Sequence, residues 1–277
     1  MITLYKSELE FINNYDSSKY EKLSMTTDIL LISISSEEST DYRKNNKKKM
    51  SILLVKRKQY PYKDRYCLPG GFIKPKEETL EECAKRVLKS ETNLEDIYLE
   101  QLYTFDSLDR DPRMRVVSTS YVALIDKNKV TNIINKDAKW FDITSIEDKN
   151  NIVEIKLSNE EDNINIRIKK ELIEKTTDRY RFIGLDNKNI AFDHDIVILS
   201  GIERIKNKLN YTDIAFNMMP EYFTLKELQQ VYEVILGKKL LDPAFRRIIK
   251  DKVIETDKYE TGIGHRPSRL YKYKKVV

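Results

Sequence analysis

The segment "LPGGFIKPKEETLEECAKRVLKSETNL", Leu68 to Leu94, sets a double-glycine turn ahead of a helix rich in glutamate. Glycines at a turn let a ligand approach the backbone closely. Carboxylates at i, i+3 and i+4 on the helix behind it would share one face and offer the oxygen ligands that magnesium takes, and through magnesium a pyrophosphate. A second segment, "LDPAFRRIIKDKV", places Phe245, Ile248, Ile249 and Val253 inward at helical spacing and leaves Arg246, Arg247 and Lys250 outward. Guanidinium groups so displayed can reach guanine edges in a major groove, with lysines on phosphate.

Each segment carries the marks of the element that must hold it. Thr79 and Glu82 have capping-box spacing, followed by the apolar side Leu80, Ala84, Val87 and Leu88. Ahead of the arginine helix, "FTLKELQQVYEVILG" has a capping box at Thr224 and Glu227 with Phe223 and Leu228 in staple positions. Its buried stripe is Leu225, Leu228, Val231 and Ile235, with Gly237 as its stop. Asp242 is expected to cap the next helix, and Pro243 suits its first turn. The tail "IETDKYETGIGHRPSRLYKYKK" predicts two strands about a glycine-containing turn, with Arg266, Arg269 and Lys272 at or after the tip and His265 in the turn. Helix, helix and basic hairpin make a winged helix-turn-helix pattern, in which Lys226, Arg246, Arg247, Lys250, Arg266, Arg269 and Lys272 are the candidate DNA contacts. A small helical dimerisation domain with solvated basic residues has the same outline.

Upstream, "TDILLISIS" and "SILLVKR" predict buried strands on either side of a polar loop at 37–50, and "IYLEQLYTF", "RVVSTSYVALID" and "AKWFDI" supply further strands. They define an α/β domain to about residue 145. Val153, Ile155 and Leu157, then Ile164, Ile166 and Ile168, alternate with polar residues about a polar turn, the period-two pattern of a hairpin extending it. Ile198, Ile202, Ile205 and Leu209 have helical spacing, which predicts a packed connecting helix rather than a loose linker. The organisation expected is therefore an α/β domain at 1–190 with its hairpin at about 150–170, a connecting helix at 191–210 and a winged helix domain at 211–277.

Composition sets limits. The 277 residues are 40% hydrophobic, enough for two cores, and no run of about eighteen apolar residues is available to span a bilayer. The N-terminal sequence lacks signal-peptide features, so a cytoplasmic location without membrane attachment is expected. Cys67 and Cys83, the two cysteines, suit buried structural roles better than a disulfide or zinc site. The net charge of +5 is uneven: Gly201 onward has sixteen Lys and Arg against ten Asp and Glu, leaving the first two hundred residues nearly neutral. A basic C-terminal part on a neutral body suits nucleic acid.

The first segment resembles the Nudix box of hydrolases that cleave nucleoside diphosphates linked to another moiety. Gly71, Glu78, Arg86, Leu88, Glu91 and Leu94 match box positions. Val87 and Ser90 stand where that family has metal-binding glutamates, Asn93 stands for a glycine, and one extra residue separates Gly71 from Arg86. Valine offers no donor to a hard cation and serine only a weak one. The resemblance therefore implies the fold and pocket with little or no hydrolysis, Glu91 as a weak candidate metal ligand that Glu81 or Glu82 on an earlier turn could supplement, and Glu78 with Arg86 as a structural pair. From "AFDHD" through "YTDIAF", "FTLKELQQVYE", "LDPAFRR" and "RPSRLY", the chain is similar to Nudix-related transcriptional regulators of NAD metabolism. That resemblance implies an α+β architecture: a Nudix-like mixed-sheet α/β sandwich followed by a C-terminal winged helix-turn-helix domain. It also implies a ligand-sensing role for the 1–190 domain with an ADP-ribose-like effector, a double-stranded DNA operator and a homodimer, with no cofactor required for regulation. Arg57, Arg113 and Arg115 are candidates for the effector's diphosphate, or equally for ion pairs. His194 is a candidate helix cap or reporter of ligand state. The alternative is a magnesium-dependent ADP-ribose pyrophosphatase with a winged helix appended.

Overall fold

In the computed structural model, the described residues are 7–36, 48–93, 95, 97–125, 135–177, 179–185, 188–260 and 267–275. The centre is a mixed sheet built on β1 (Ser24–Ser36) and β2 (Lys48–Lys56), the two apolar runs. Two short strands, β3 (Tyr66–Cys67) and β4 (Gly70–Phe72), lead into helix α2 (Leu80–Thr92), a short α1 (Glu8–Asn14) lying near the N-terminus. Then come β5 (Tyr98–Phe105), β6 (Val116–Ile125), β7 (Ala138–Lys149), β8 (Ile152–Ser158), β9 (Asn163–Glu174) and β10 (Arg179–Gly184). The order across the sheet is β10-β9-β8-β7-β2-β1-β6-β5, with β3 on β2 and β4 on β1. Only β1 and β6 run parallel among the pairs recorded. The hairpin read from the alternation is β8–β9, and all six of its alternating apolar residues are buried. The sheet thus continues well past residue 145, through a strand, β10, that the sequence pattern did not reveal.

Period-two alternation sends the two sides of β1 into different cores. Ile29 and Leu31 meet Cys83, Ala84, Val87 and Leu88 of α2. Leu30, Ile32 and Ile34 face the other way, toward Val197, Ile198 and Ile202 of α3 (His194–Lys208), the predicted connecting helix. A Cβ on Gly201 would stand 2.2 Å from a Leu30 methyl, so glycine is what lets α3 lie close on β1.

The second core does not stop at α3. It runs through the 3-10 turn Ile214–Met218 into α4 (Leu225–Leu236) and α5 (Asp242–Ile249), taking in Leu228, Val231, Tyr232, Ile235, Phe245 and Ile249. Helix α4 packs on both α3 and β2. Strands β11 (Val253–Tyr259) and β12 (Arg269–Tyr273) pair antiparallel as the wing, and Phe223, just before α4, exchanges both backbone hydrogen bonds with Tyr271. Both capping boxes form as read, and Gly237 ends α4 at φ 67°.

Two local expectations are corrected. Leu241, not Asp242, occupies the N-cap of α5, and the Asp242 carboxylate instead accepts from Gln229 Nε2 at 3.0 Å. Ile248 is 43% exposed: Phe245 and Ile249 alone suffice to seat a two-turn helix, leaving Ile248 on the outer side. Among the described residues no helix is long and apolar enough to cross a membrane.

Candidate functional site

A cavity of about 410 Å³ lies where the double-glycine turn, the start of β1, the loop between β5 and β6, and the N-terminus of α3 converge. Its floor is a buried ionic cluster. Arg110 donates through Nε and Nη2 to both Asp193 oxygens at 3.0 and 2.8 Å, and through Nη2 to Asp28 Oδ2 at 3.1 Å. Ser118 Oγ donates to the same Asp28 oxygen at 2.5 Å. His194, the first residue of α3, accepts the Leu68 N–H on Nδ1 at 2.9 Å, which puts its proton on Nε2, 3.5 Å from Asp28 Oδ1. Burial opposes the Asp28 charge, and His194, Arg110 and Ser118 overcome it, so its carboxyl sits well below the ordinary range. Against this carboxylate only glycine fits at position 70: a Cβ there would meet Asp28 Oδ1 at 2.4 Å and the Thr27 carbonyl at 2.8 Å. The turn is thereby pinned to the floor on one side and, through Leu68 and His194, to α3 on the other.

The predicted anion-binding arginines divide. Arg57 and Arg113 both line the cavity; Arg115 does not. Arg57 donates Nε to the Pro61 carbonyl at 2.8 Å and lies over the Phe192 ring, 4.8 Å from its centroid, with no carboxylate partner among the described residues. Arg113 forms a two-point pair with Asp111 at 3.0 and 2.7 Å beside Phe72. Arg115 spends Nη1 on the carbonyls of Asp106 and Ser107 at 2.7 and 2.8 Å, shaping the loop that carries Arg110. Sequence reading missed Asp28, Arg110 and Asp193, for their partners lie 82 or more residues apart. The "AFDHD" phrase was the nearest pointer to them.

The box helix fails the test for magnesium. Val87 is buried against Gly71, and Ser90 turns its hydroxyl back onto the Val87 carbonyl at 2.7 Å. Glu78 accepts both Arg86 nitrogens at 2.8 and 2.7 Å and the Lys74 N–H, which hold its carboxyl down at about 2. Glu91 alone reaches the cavity from the helix, bound by Asn135 Nδ2 at 2.7 Å. Burial raises its pKa, with Asp137 adding and Asn135 opposing. The other lining carboxylates are committed: Asp28 to Arg110, Asp111 to Arg113 and Asp137 to Lys58. Among the described residues no group of three or more metal-competent side chains forms. Both cysteines are free and buried, and burial pushes the Cys67 thiol up to about 11.

On the winged helix, Arg246, Arg247 and Lys250 are exposed along α5, with no hydrogen bond or ion pair recorded among the described residues. The turn into α5 is locked from inside: Gln229 Nε2 donates to the Leu240 carbonyl at 2.9 Å, and the buried Glu233 accepts the Leu240 N–H at 3.0 Å. Tyr232 meets Phe245 edge-on at 5.5 Å. Lys226 and Lys272 are exposed, whereas Arg269 is held by Glu255 at 2.6 Å and the Tyr259 hydroxyl at 2.8 Å. Arg266 and His265 lie outside the described residues, as do 37–47 of the polar loop and the box position Leu94.

The NUDIX domain family matches residues 42–159, and the NrtR DNA-binding winged helix domain family matches residues 215–273. The chain joins a Nudix domain to an NrtR winged helix domain. Over 97% of its length and 89% of the relative's, it is 29% identical to the ADPR responsive transcriptional repressor NtrR of Acinetobacter baylyi. It is also similar to the crystal structure of Shewanella oneidensis NrtR complexed with a 27mer DNA: TM-score 0.63 and 28% identity, covering 90% of this chain and 93% of that one. Over 34% of its length and 56% of the relative's, it is 38% identical to the ADP-ribose pyrophosphatase of Methanocaldococcus jannaschii. The mixed-sheet Nudix fold with a C-terminal winged helix is thus both what the sequence predicted and what the NrtR structure shares.

Proposed function

We propose that this protein is a DNA-binding transcriptional regulator that senses an ADP-ribose-like nucleotide in its Nudix cavity and controls genes of NAD or related nucleotide metabolism. The observation that carries this reading is the continuity of one core from the cavity to the DNA-facing helix. Helix α3 begins at His194 on the cavity floor, and its apolar side shares a core with α4 and with Phe245 and Ile249 of α5. A nucleotide whose diphosphate engages Arg57, and Arg113 in exchange for part of its Asp111 pair, displaces the turn and loop that fix His194 and Arg110. If it favours one seating of α3 over another, that differential affinity shifts DNA occupancy. Two copies related by a two-fold axis would present two α5 helices to two half-sites.

A gel-shift series with duplex DNA from upstream of the protein's own gene, with and without ADP-ribose and NAD, tests it. DNA binding that responds to ADP-ribose and weakens steeply with salt is expected. Absence of any ligand response would sink the sensing half, and absence of a shift would sink the rest. The similarity to a pyrophosphatase favours one other reading, a magnesium-dependent hydrolase with a winged helix attached. Release of AMP and ribose 5-phosphate from ADP-ribose at enzyme-like rates would put that reading first.

A further inference from the structure

A second cavity, of about 880 Å³, opens beside the first and shares only Arg110 and Phe192 with it. Its walls come from β5 and the loop after it, from the N-terminal half of α3, and from β10, so that both edge strands of the sheet contribute. The size lies within the range of small-molecule pockets, about 300–1,000 Å³.

Its charges are sorted by whether they are already used. Arg110 is bound to Asp28 and Asp193, and Arg204 donates to the Leu102 carbonyl and pairs with Glu100. Three other arginines remain at the cavity. The Arg65 guanidinium lies 5.1 Å from the Tyr62 ring centroid, Arg181 stands 3.9 Å from Glu171, and neither the Arg65 nor the Arg179 side chain has a hydrogen bond or ion pair recorded among the described residues. Opposite in sequence and element, the exposed Asp106 and Asp109 sit on the loop after β5. Tyr103 and Tyr180 are 59% and 40% exposed, and buried Leu102, Phe105 and Ile190 add apolar surface. Open guanidinium forks suit a phosphate. Carboxylates accept sugar hydroxyls, and exposed phenol rings stack on a base. A nucleic-acid backbone is disfavoured, since the two carboxylates would repel successive phosphates.

We propose that this second cavity binds a phosphorylated nucleoside, independently of the ligand in the first. The test is calorimetric titration of the full-length Arg57→Ala protein with AMP, adenosine and ribose 5-phosphate, repeated after adding Arg179→Ala and Arg181→Ala. Both added positions are exposed on an edge strand, so the fold should tolerate them. The expected result is one AMP per chain in the Arg57→Ala protein, adenosine and ribose 5-phosphate each about tenfold weaker or more, and AMP about tenfold weaker in the triple variant. Photolabelling of the unmodified chain with 8-azido-AMP provides a check free of substitutions, with the adduct expected on Tyr103 or within residues 179–182. AMP binding indifferent to Arg179 and Arg181, adenosine binding as well as AMP, or labelling confined to the double-glycine turn would each overturn the proposal. So would no AMP binding at all, the outcome if a second copy of the chain covers the cavity.

Discussion

Arginines stand both in the Nudix cavity and on the outer side of α5, yet the two sets are held in opposite ways. In the cavity Arg110 and Arg113 are bound to carboxylates and Arg57 is steadied on Phe192, while just outside its lining Arg86 and Arg115 are bound to a carboxylate and to carbonyls. On α5, Arg246 and Arg247 are exposed, with no hydrogen bond or ion pair recorded among the described residues. The first arrangement fixes guanidinium geometry before a ligand arrives, which reduces the ordering cost of binding and selects shape. The second leaves charge available to a polyanion whose released counterions drive association. On the proposed function, the same residue type serves a selective small-molecule site in one place and a salt-sensitive nucleic-acid surface in the other.

The contrast breaks most sharply at Arg110. Arg110→Ala leaves Asp28 and Asp193 facing each other without their cation, and removing one partner of such a buried set costs about 3–5 kcal/mol. Urea unfolding should register that loss together with the loss of ADP-ribose binding. An unfolding midpoint equal to that of the unmodified protein would show the cluster to be idle. Arg246→Ala with Arg247→Ala should do the reverse. Folding stability should stay within about 0.5 kcal/mol, while each lost base contact weakens operator binding by about 1–3 kcal/mol. Footprints unchanged in that double variant would remove α5 from the interface.

Acid titration sharpens the same difference. Glu78, at about 2 against an ordinary 4.5, and Asp28, also lowered, ionise more readily folded than unfolded. The unfolded chain therefore takes up protons first as pH falls. The stability these groups contribute is complete above about pH 4.5 and is lost progressively toward pH 2. Glu78→Gln should flatten that acid limb in a series of thermal melts. The α5 substitutions should leave it untouched, and a flattening there instead would mean the DNA-facing charges carry hidden pairs.

Sequence reached the parts of this molecule that depend on neighbours in the chain. Capping boxes at Thr79 and Thr224, the stop at Gly237 and the alternation from Val153 to Ile168 are local patterns, and the structure reproduces each. Arg57 and Arg113 were named because guanidinium forks suit phosphate oxygens, and both line the cavity. Asp28 was not, since in sequence it is one polar residue within an apolar strand, and its meaning comes from Arg110, Ser118 and His194 folded around it. Arg115 was named on the same chemistry, but two loop carbonyls take its Nη1 and it does not line the cavity. Asp242 likewise had the right chemistry to cap α5 and was drawn to Gln229 instead.

The smallest expected effects lie at Glu91. Its raised pKa means the folded chain holds a proton more tightly than the unfolded chain between about 4.5 and that raised value. Stability from this group therefore falls as pH rises through that window, and the ionised carboxylate is a cost at neutral pH. Glu91→Gln removes the charge while an amide oxygen can still accept from Asn135, so thermal melting should rise by roughly 1–3 °C at pH 7 and converge with the unmodified protein below pH 4.5. Were Glu91 instead a magnesium ligand, chelation would matter. With Val87 and Ser90 beside it, ADP-ribose affinity should change by less than about twofold when EDTA is added. A tenfold loss on chelation, restored by magnesium and absent in Glu91→Gln, would show that this cavity still handles its nucleotide as the catalytic members of the fold do, and would erase the distinction between a pocket of satisfied arginines and one completed by a metal.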